Sequence, residues 1–340
     1  MCMVQQLWDT PQIFCVSIEL PGSPLKNLNA YVVRSGDDTL VIDTGYNFPE
    51  CRELLFRGLE ELGADLRRTA LFLTHFHADH MGLVGDFVQA GSTVYMGRLD
   101  YELCTREYPQ NWASVEHIFL REGFPEELAY WHHVGAQNRS GNPEVPFPAV
   151  TVGDGYRLTV GDVTFTCLHT PGHTPGHMVL YLPEQQLLFS GDHVLFQITP
   201  NISVWEGIPN SLADYLDSLE RIRTLPVRCV FPAHRTWGGN FHSRVGELLH
   251  HHELRLEETL DAVRRHPNAT AYELAGHLTW SARGLGWEAF PPNQKWFATG
   301  ETLAHLDYLV NSGEIARTRS GRHNRYHIAS SKSKYLMGGI

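Results

Sequence analysis

The sequence predicts a mixed α/β protein with a helical C-terminal domain, and three observations lead to this class. Residues 40–73 show an apolar strand, an amphipathic helix and a second apolar strand, which is the pattern of a βαβ unit. Residues 150–190 show short strands separated by tight turns, which is the pattern of β-hairpins. From residue 242 onward, long helical patterns dominate. We therefore expect a β-rich domain followed by a smaller helical one.

The N-terminal half accounts for most of the strands. Leu54, Leu55, Leu59 and Leu62 lie on one face of a helix predicted over 49–62, and Gly63 ends it. A second, short helix is predicted over 81–88. The predicted strands are 13–20, 29–33, 40–45, 69–73 and 93–96. Residues 98–150 mix aromatic, polar and proline residues, and we interpret them as a helical insert that either lines a pocket or only packs.

The C-terminal half changes from strands to helices. Its predicted strands are 156–160, 163–169, 178–182, 187–190 and 227–231, with a helix over 211–222. The helices that follow are predicted over 245–265, 270–278 and 293–312, and two short strands flank a turn at 320–322. Three helices and a β-hairpin form the layout of a winged helix. We therefore predict a catalytic domain over 1–242, a winged-helix domain over 243–330 and a loose tail over 331–340.

Composition excludes several classes. The formal charge of −11 provides no global basic field for binding polyanions. The six cysteines show no CxxC spacing, so reduced thiols in a cytoplasmic protein are expected. The first residues lack the basic and apolar regions of a signal peptide. Apolar runs fall short of the roughly 18 residues that span a bilayer, so no membrane partner is expected.

The stretch Thr74–His80 contains the most informative motif. His75, His77, Asp79 and His80 follow a strand predicted over 69–73, at the edge where open α/β folds place their sites. An ordinary surface turn has no need for this many metal-competent side chains. The motif therefore indicates a bound cation.

Four further segments resemble this one in their position. His173, Asp192 and His234 each stand shortly after a predicted strand, and Asp43 lies at the end of another. Because strands of a sandwich can bring their ends to one edge, these side chains can converge with the first motif. Imidazole and carboxylate ligands suit divalent zinc, iron or manganese.

The combined motifs HxHxDH, TPGHTxGH, SGD and PAH resemble those of the metallo-β-lactamase-fold hydrolases, over nearly all of residues 10–240. The resemblance implies a four-layer αββα sandwich. The C-terminal segment resembles the winged-helix extension of one bacterial branch of that superfamily.

The resemblance also implies two divalent metal ions, zinc being favoured and iron or manganese also suited. One ion would be held by His75, His77 and His173, the other by Asp79, His80 and His234, with Asp192 bridging them. Two such metals can share a hydroxide, which would attack the substrate at neutral pH. Asp79 and Asp192 are therefore the expected catalytic carboxylates, because Asp79 would also orient the nucleophile.

Ligand identity separates the branches of this superfamily. True β-lactamases generally carry cysteine or serine where this chain has Asp192, and diiron flavoproteins carry glutamate in place of His77. Glyoxalase II-like thioesterases match best, but here a winged helix replaces their glutathione-binding domain. We expect hydrolysis of a small-molecule thioester, ester or lactone. The alternatives are a phosphodiesterase or nuclease, and a DNA-binding regulator with a vestigial metal domain.

Five other residues are candidates for supporting roles. Asp43 is expected to hold the ligand loops by hydrogen bonds, and His177 to support them or pack. His193 either faces the pocket or is a hydrogen-bonded core histidine. Trp205 is expected to line the substrate cleft. Arg235 replaces the usual glycine of the family, and it either narrows the pocket or contacts an anion.

The predicted wing suggests nucleic-acid binding, but the helix before it argues against this. Basic residues cluster at Arg317, Arg319, Arg322, Arg325, Lys332 and Lys334. The preceding helix instead carries Glu301, His305 and Asp307, a poor surface for phosphate. We therefore favour packing on the catalytic domain, or dimerisation, over nucleic-acid binding.

Overall fold

The computed structural model describes residues 4–106, 110–129, 141–143, 146–236, 238–281 and 285–329. Within these residues the larger sheet has seven strands in sequential order. They are β1 Val4–Trp8, β2 Gln12–Glu19, β3 Asn27–Ser35, β4 Asp38–Ile42, β5 Thr69–Leu73, β6 Thr93–Gly97 and β7 Val150–Val152. Strands β1 to β4 pair antiparallel, and β4 to β7 pair parallel. The parallel β4–β5 pair confirms the predicted βαβ unit.

The second sheet has five strands in the described part of the chain, in the order β12-β11-β10-β9-β8. They are β8 Arg157–Val160, β9 Val163–His169, β10 Met178–Leu182, β11 Leu187–Gly191 and β12 Cys229–Pro232. Both predicted hairpins are present, and β12 joins parallel to β11. The parallel pair brings the ends of β11 and β12 to the same edge.

Helices surround the two sheets. They are α1 Pro49–Glu61, α2 Ala78–Met81, α3 Val84–Ala90, α4 Arg98–Arg106, α5 Gln110–Arg121, α6 Ser211–Arg223, α7 Phe241–Arg265, α8 Ala271–Ala275 and α9 Pro292–Asn311. A separate hairpin pairs β13 Ile315–Ser320 with β14 His323–Ile328. The order of α7, α8, α9 and this hairpin is the one predicted.

Three hydrophobic cores define four layers. The central core joins the facing surfaces of the two sheets, where Tyr31, Phe189 and Phe231 have ring centroids 4.9 to 5.4 Å apart. Helices α1 and α3 cover the outer face of the first sheet, and α6 and α7 cover that of the second. The αββα sandwich predicted from the sequence is therefore confirmed.

The C-terminal helices share their core with the second sheet instead of enclosing one of their own. Helix α5 of the insert also packs there, since the rings of Phe119 and Trp296 stack with centroids 3.8 Å apart. Glu122 accepts hydrogen bonds from Tyr326 and Asn324 of the hairpin. Helix α5 and Glu122 of the insert therefore pack against the C-terminal region.

Several element boundaries differ from those predicted. Strand β1 was not expected, because a short, partly exposed edge strand with two adjacent glutamines carries little signal. Helix α7 begins at Phe241, since the Asn240 side chain accepts a hydrogen bond from the Ser243 amide. Helix α8 ends at Ala275 instead of 278, and the Thr270 side chain caps its start. The predicted loose tail, 331–340, lies outside the described residues.

Candidate metal centre

Two adjacent parallel strands deliver the first half of the centre. Strand β5 ends at Leu73 and leads directly into Thr74 and His75, while β4 ends just before Asp43. Asp43 accepts hydrogen bonds from the Thr74 amide at 2.9 Å and from the Thr74 hydroxyl at 2.8 Å. The short helix α2 begins after His77 and carries Asp79 and His80 inward. The HxHxDH loop is thereby held against the neighbouring strand.

The second sheet delivers the other half across the central core. His173 follows β9, Asp192 follows β11 and His234 follows β12. All three side chains are buried. Strand ends from both sheets therefore meet at one edge of the sandwich, as the sequence predicts.

Seven side chains converge there on a common centre. They form three groups, in each of which one ligand atom from every residue lies within 4.8 Å of the others: His75, His77 and His173; His75, His80 and Asp192; Asp79, His80 and His234. Asp192 lies between the two halves, with Oδ2 3.5 Å from His173 Nε2 and Oδ1 3.3 Å from His234 Nε2. These clusters suit a dinuclear metal site.

Hydrogen bonds on the outer side of the rings orient three of the histidines. His80 Nδ1 lies 2.8 Å from Asp43 Oδ2, and His173 Nδ1 donates to the Asn201 carbonyl at 2.8 Å. His234 Nδ1 donates to the carbonyl of Asn27, also at 2.8 Å. A proton held at Nδ1 leaves the lone pair of Nε2 directed at the centre, which is the form that binds a metal.

The all-histidine half is electrically neutral. Burial lowers the pKa of His75 and of His77 well below the ordinary imidazole value, and neighbouring histidines lower both further. Burial likewise lowers the pKa of His173. The three rings lie close together, since His77 Nδ1 is 2.9 Å from His75 Nε2 and 3.1 Å from His173 Nε2. Three lone pairs so arranged are suited to one cation.

The other half is dominated by carboxylates. Burial opposes protonation of His80, but three nearby carboxylates outweigh burial and raise its pKa to about 10. They belong to Asp43, Asp192 and Asp79. Burial also opposes protonation of His234, whose pKa is nevertheless raised by Asp192. This half therefore attracts positive charge strongly, whether from protons or from a metal.

Two carboxylate oxygens of the centre are available to bind a cation. Among the described residues, neither Asp79 Oδ2 nor Asp192 Oδ1 has a hydrogen-bond partner, although both atoms are buried. Leaving a buried charged oxygen unsatisfied is costly, and metal coordination is one of the few ways to offset that cost. The donor set therefore fits divalent metal ions.

Two further histidines lie behind the centre. His177 Nε2 accepts a hydrogen bond from the Asp192 amide at 3.2 Å, and its Nδ1 lies 2.9 Å from Thr170 Oγ1. His193 is fully buried and packs on Tyr215, with ring centroids 5.0 Å apart. Within the described part of the chain, neither ring nitrogen of His193 has a hydrogen-bond partner. His193 therefore lies in the core beside Tyr215, and its predicted contact with the pocket stays a prediction.

Trp205 and Arg235 flank the centre on different sides. The Trp205 ring lies 5.2 Å from that of Phe76 and 6.1 Å from that of His77. Arg235 directly follows His234 and adopts a left-handed φ of 66°. Its guanidinium donates to the Pro24 carbonyl. Trp205 thus forms an aromatic wall beside the histidine cluster. The hydrogen bond from Arg235 to Pro24 stabilises the turn near His234.

Sequence reasoning missed Asp100, which joins two ligand loops. This buried carboxylate accepts hydrogen bonds from the Phe76 amide at 3.2 Å, the Thr174 hydroxyl at 2.6 Å and the Gly176 amide. Burial raises its pKa to about 7 in spite of these donors. The sequence contained an indication of this role, because Asp100 stands shortly after the predicted strand 93–96. Asp43 likewise stands near the end of a predicted strand.

The chain belongs to the metallo-beta-lactamase superfamily, whose family description matches residues 25–234. A second description, "Metallo-beta-lactamase-like, C-terminal domain", matches residues 256–329. Membership in this superfamily agrees with the clustered histidine and aspartate side chains of the site.

Similar proteins come from fungi and bacteria. An atrochrysone carboxyl ACP thioesterase from Aspergillus novofumigatus is 27% identical over 75% of this chain, which matches 64% of that protein's length. A metallo-beta-lactamase family protein from Thermus thermophilus is 30% identical, with a TM-score of 0.78 over 93% of this chain and 98% of that one. A beta-lactamase domain protein from Burkholderia ambifaria is 26% identical, with a TM-score of 0.81 over 96% and 94%. The predicted bacterial branch and the winged-helix assignment stay predictions.

Among the described residues, every helix is too short or too polar to cross a membrane.

Proposed function

We propose that the centre holds two divalent metal ions, with zinc as the favoured metal. His75, His77 and His173 would bind one, Asp79, His80 and His234 the other, and Asp192 would bridge both. The observation that carries this assignment is the convergence of these seven ligand groups, six of them buried, with two oxygens that have no hydrogen-bond partner among the described residues. The distances around Asp192 support a bridging position, because its two oxygens face different histidine groups.

Bound metals of this kind supply Lewis-acid charge and lower the pKa of water to about 7. The chain's own residues contribute positioning. Asp43 and Asn27 hold His80 and His234 with Nε2 directed inward. Asp79 Oδ2 lies 3.4 Å from His234 Nε2, so this carboxylate faces the interior and can accept a proton from an attacking water.

The substrate class that we propose is a carboxylic thioester, with simple esters and lactones as further candidates. Asp192 at the bridging position supports this choice over β-lactam hydrolysis. Several curated relatives, including the Aspergillus protein, are named ACP thioesterases. The aromatic wall made by Phe76 and Trp205 beside His77 is suited to an apolar acyl group.

Removing the metals tests the centre directly. Wild-type protein saturated with zinc should contain close to two ions per chain, and dialysis against a chelator should reduce both metal content and thioester hydrolysis to background. Adding zinc back should restore hydrolysis. Folded protein that retains no metal after incubation with excess zinc would contradict the assignment.

A substrate panel tests the reaction class. The metal-loaded protein should hydrolyse acyl thioesters at least about 10²-fold faster than bis-p-nitrophenyl phosphate, because a site shaped for one reaction gains several kcal/mol for that transition state alone. Lactones and p-nitrophenyl esters complete the panel. Faster cleavage of the phosphodiester would instead support the nuclease alternative.

Two observations weigh against nucleic acid as the substrate. Helix α9, which corresponds to the expected recognition helix, is largely buried. Arg317 and Arg325 of the hairpin form ion pairs with Asp307 and Glu273. We therefore expect no salt-dependent binding of RNA or DNA at low ionic strength. Binding that weakens steeply with salt in a fluorescence-anisotropy titration would overturn this expectation.

A further inference from the structure

The segment 195–205 follows the bridging Asp192 and reaches the histidine cluster. Its Asn201 carbonyl accepts the hydrogen bond from His173 Nδ1 at 2.8 Å. Four residues later, the Trp205 ring lies beside that of His77. This segment therefore sets the ring orientation of one proposed metal ligand and places the aromatic wall.

The segment is held mainly by the C-terminal region. Ile202 and Val204 enter the core shared with the C-terminal helices, whereas Trp205 enters the core on the side of Phe76. Ile202 is fully buried. The segment thus lies between the metal centre and the C-terminal helices, and it contacts both.

Polar contacts from α7 hold the first part of the segment. Arg244 donates from Nε to the Leu195 carbonyl at 2.6 Å and from Nη2 to the Ile198 carbonyl at 3.0 Å. The Arg244 side chain is only 14% exposed, so these bonds are shielded from water. One largely shielded guanidinium therefore donates to two backbone carbonyls of the segment.

Helix α9 contacts the second part of the segment, at Asn201 and Ser203. The Asn201 side-chain amide lies 3.5 Å from Glu301 Oε2 and from the Phe297 carbonyl. Gly300 packs directly on the segment, since a Cβ at this position would fall well inside contact distance of Ser203 Oγ and 3.1 Å from Phe119 Cζ. Glu301 in turn lies 3.5 Å from Arg255 of α7. The two helices and the segment thus form one contact network.

We propose that the C-terminal region is a positioning element for the metal centre: α7 and α9 hold the 195–205 segment, and through Asn201 they orient His173. This inference rests on the proposed metal-binding role of His173. It assigns the C-terminal region a task in the hydrolase reaction in place of nucleic-acid recognition. Outer hydrogen-bond partners of metal ligands typically change metal affinity or activity about 10- to 100-fold.

The test compares two glycine-to-alanine variants in the full-length protein. Gly300→Ala should displace the segment and weaken binding of one of the two metals about 10-fold, as measured by competition with a chromophoric chelator. It should also perturb the visible spectrum of the cobalt-substituted protein. The matched control is Gly246→Ala on α7, where a Cβ meets no atom within 4 Å in the described structure, and this variant should behave as wild type.

Rescue and a second variant complete the experiment. Adding Ser203→Ala to Gly300→Ala removes the crowded hydroxyl and should restore most of the metal affinity. Asn201→Ala removes the contact with α9 without crowding, and it should weaken the same metal even if Gly300→Ala does not fold. Wild-type metal affinity and cobalt spectra in a folded Asn201→Ala variant would overturn the positioning role. Failure of the wild-type protein to bind two metals would instead reject the proposed centre.

Discussion

Asp192→Asn should lower kcat/KM for thioester hydrolysis by about 10³-fold or more. A neutral amide at this position removes the carboxylate that faces both halves of the centre, and loss of about 4 kcal/mol of electrostatic stabilisation corresponds to this factor. Metal content should fall below two ions per chain. The measurement is steady-state kinetics together with metal analysis on the same preparation.

The fold should tolerate this change, because asparagine has nearly the same shape and removes a charge buried beside His173 and His234. We expect the melting temperature of the metal-free protein to shift by less than about 5 °C. Asp162→Asn, the same substitution at an exposed hairpin turn, is the matched control and should retain full activity. Wild-type activity in Asp192→Asn would show that this residue does not bridge the metals.

Asp43→Asn is expected to have the second-largest effect, although Asp43 belongs to neither proposed ligand group. Its Oδ2 accepts the hydrogen bond from His80 Nδ1, and an amide NH₂ in that place would not accept it. His80 would then be favoured in the tautomer with its proton at Nε2, which removes the lone pair that faces the centre. We expect affinity for one metal to fall about 10- to 100-fold and activity to fall with it.

Chelator competition on the purified variant measures this loss, and excess metal in the assay should recover part of the activity. Asp217→Asn, at an exposed position of α6, is the control for an equal loss of charge. If Asp43→Asn binds both metals as tightly as wild type, the hydrogen bond to His80 does not set its tautomer. Unchanged activity of Asp43→Asn in an assay with limiting metal would likewise show that this hydrogen bond does not set the tautomer of His80.

The order of elements was largely predictable from the sequence because its signals are local. Apolar runs predicted β5 and β10, and a Thr270–Glu273 capping box marks the start of α8. The strand-end position of His75 and Asp192 also follows from neighbouring residues alone. Boundaries such as the start of α7 depended on a single cap, which is why they shifted by a few residues.

The outer partners of the ligands were much less predictable. Asp100 contacts loops 24 and 76 residues away in the chain, and Asn201 lies 28 residues from His173. Such pairs depend on how two sheets and several helices pack. A pattern of residue types along the chain carries little information about that packing.

The types of the proposed ligands, their order along the chain and their placement at the ends of strands were all predictable from the sequence. These are properties of short segments, since strand formation and the position just after a strand depend on adjacent residues. The nitrogen of His80, His173 and His234 that faces the centre depends on tertiary packing. The contacts of α7 and α9 with the segment 195–205 depend on it as well. The physical reason is that ring orientation depends on hydrogen-bond partners such as Asn27 and Asn201, which the packing of distant layers brings into reach.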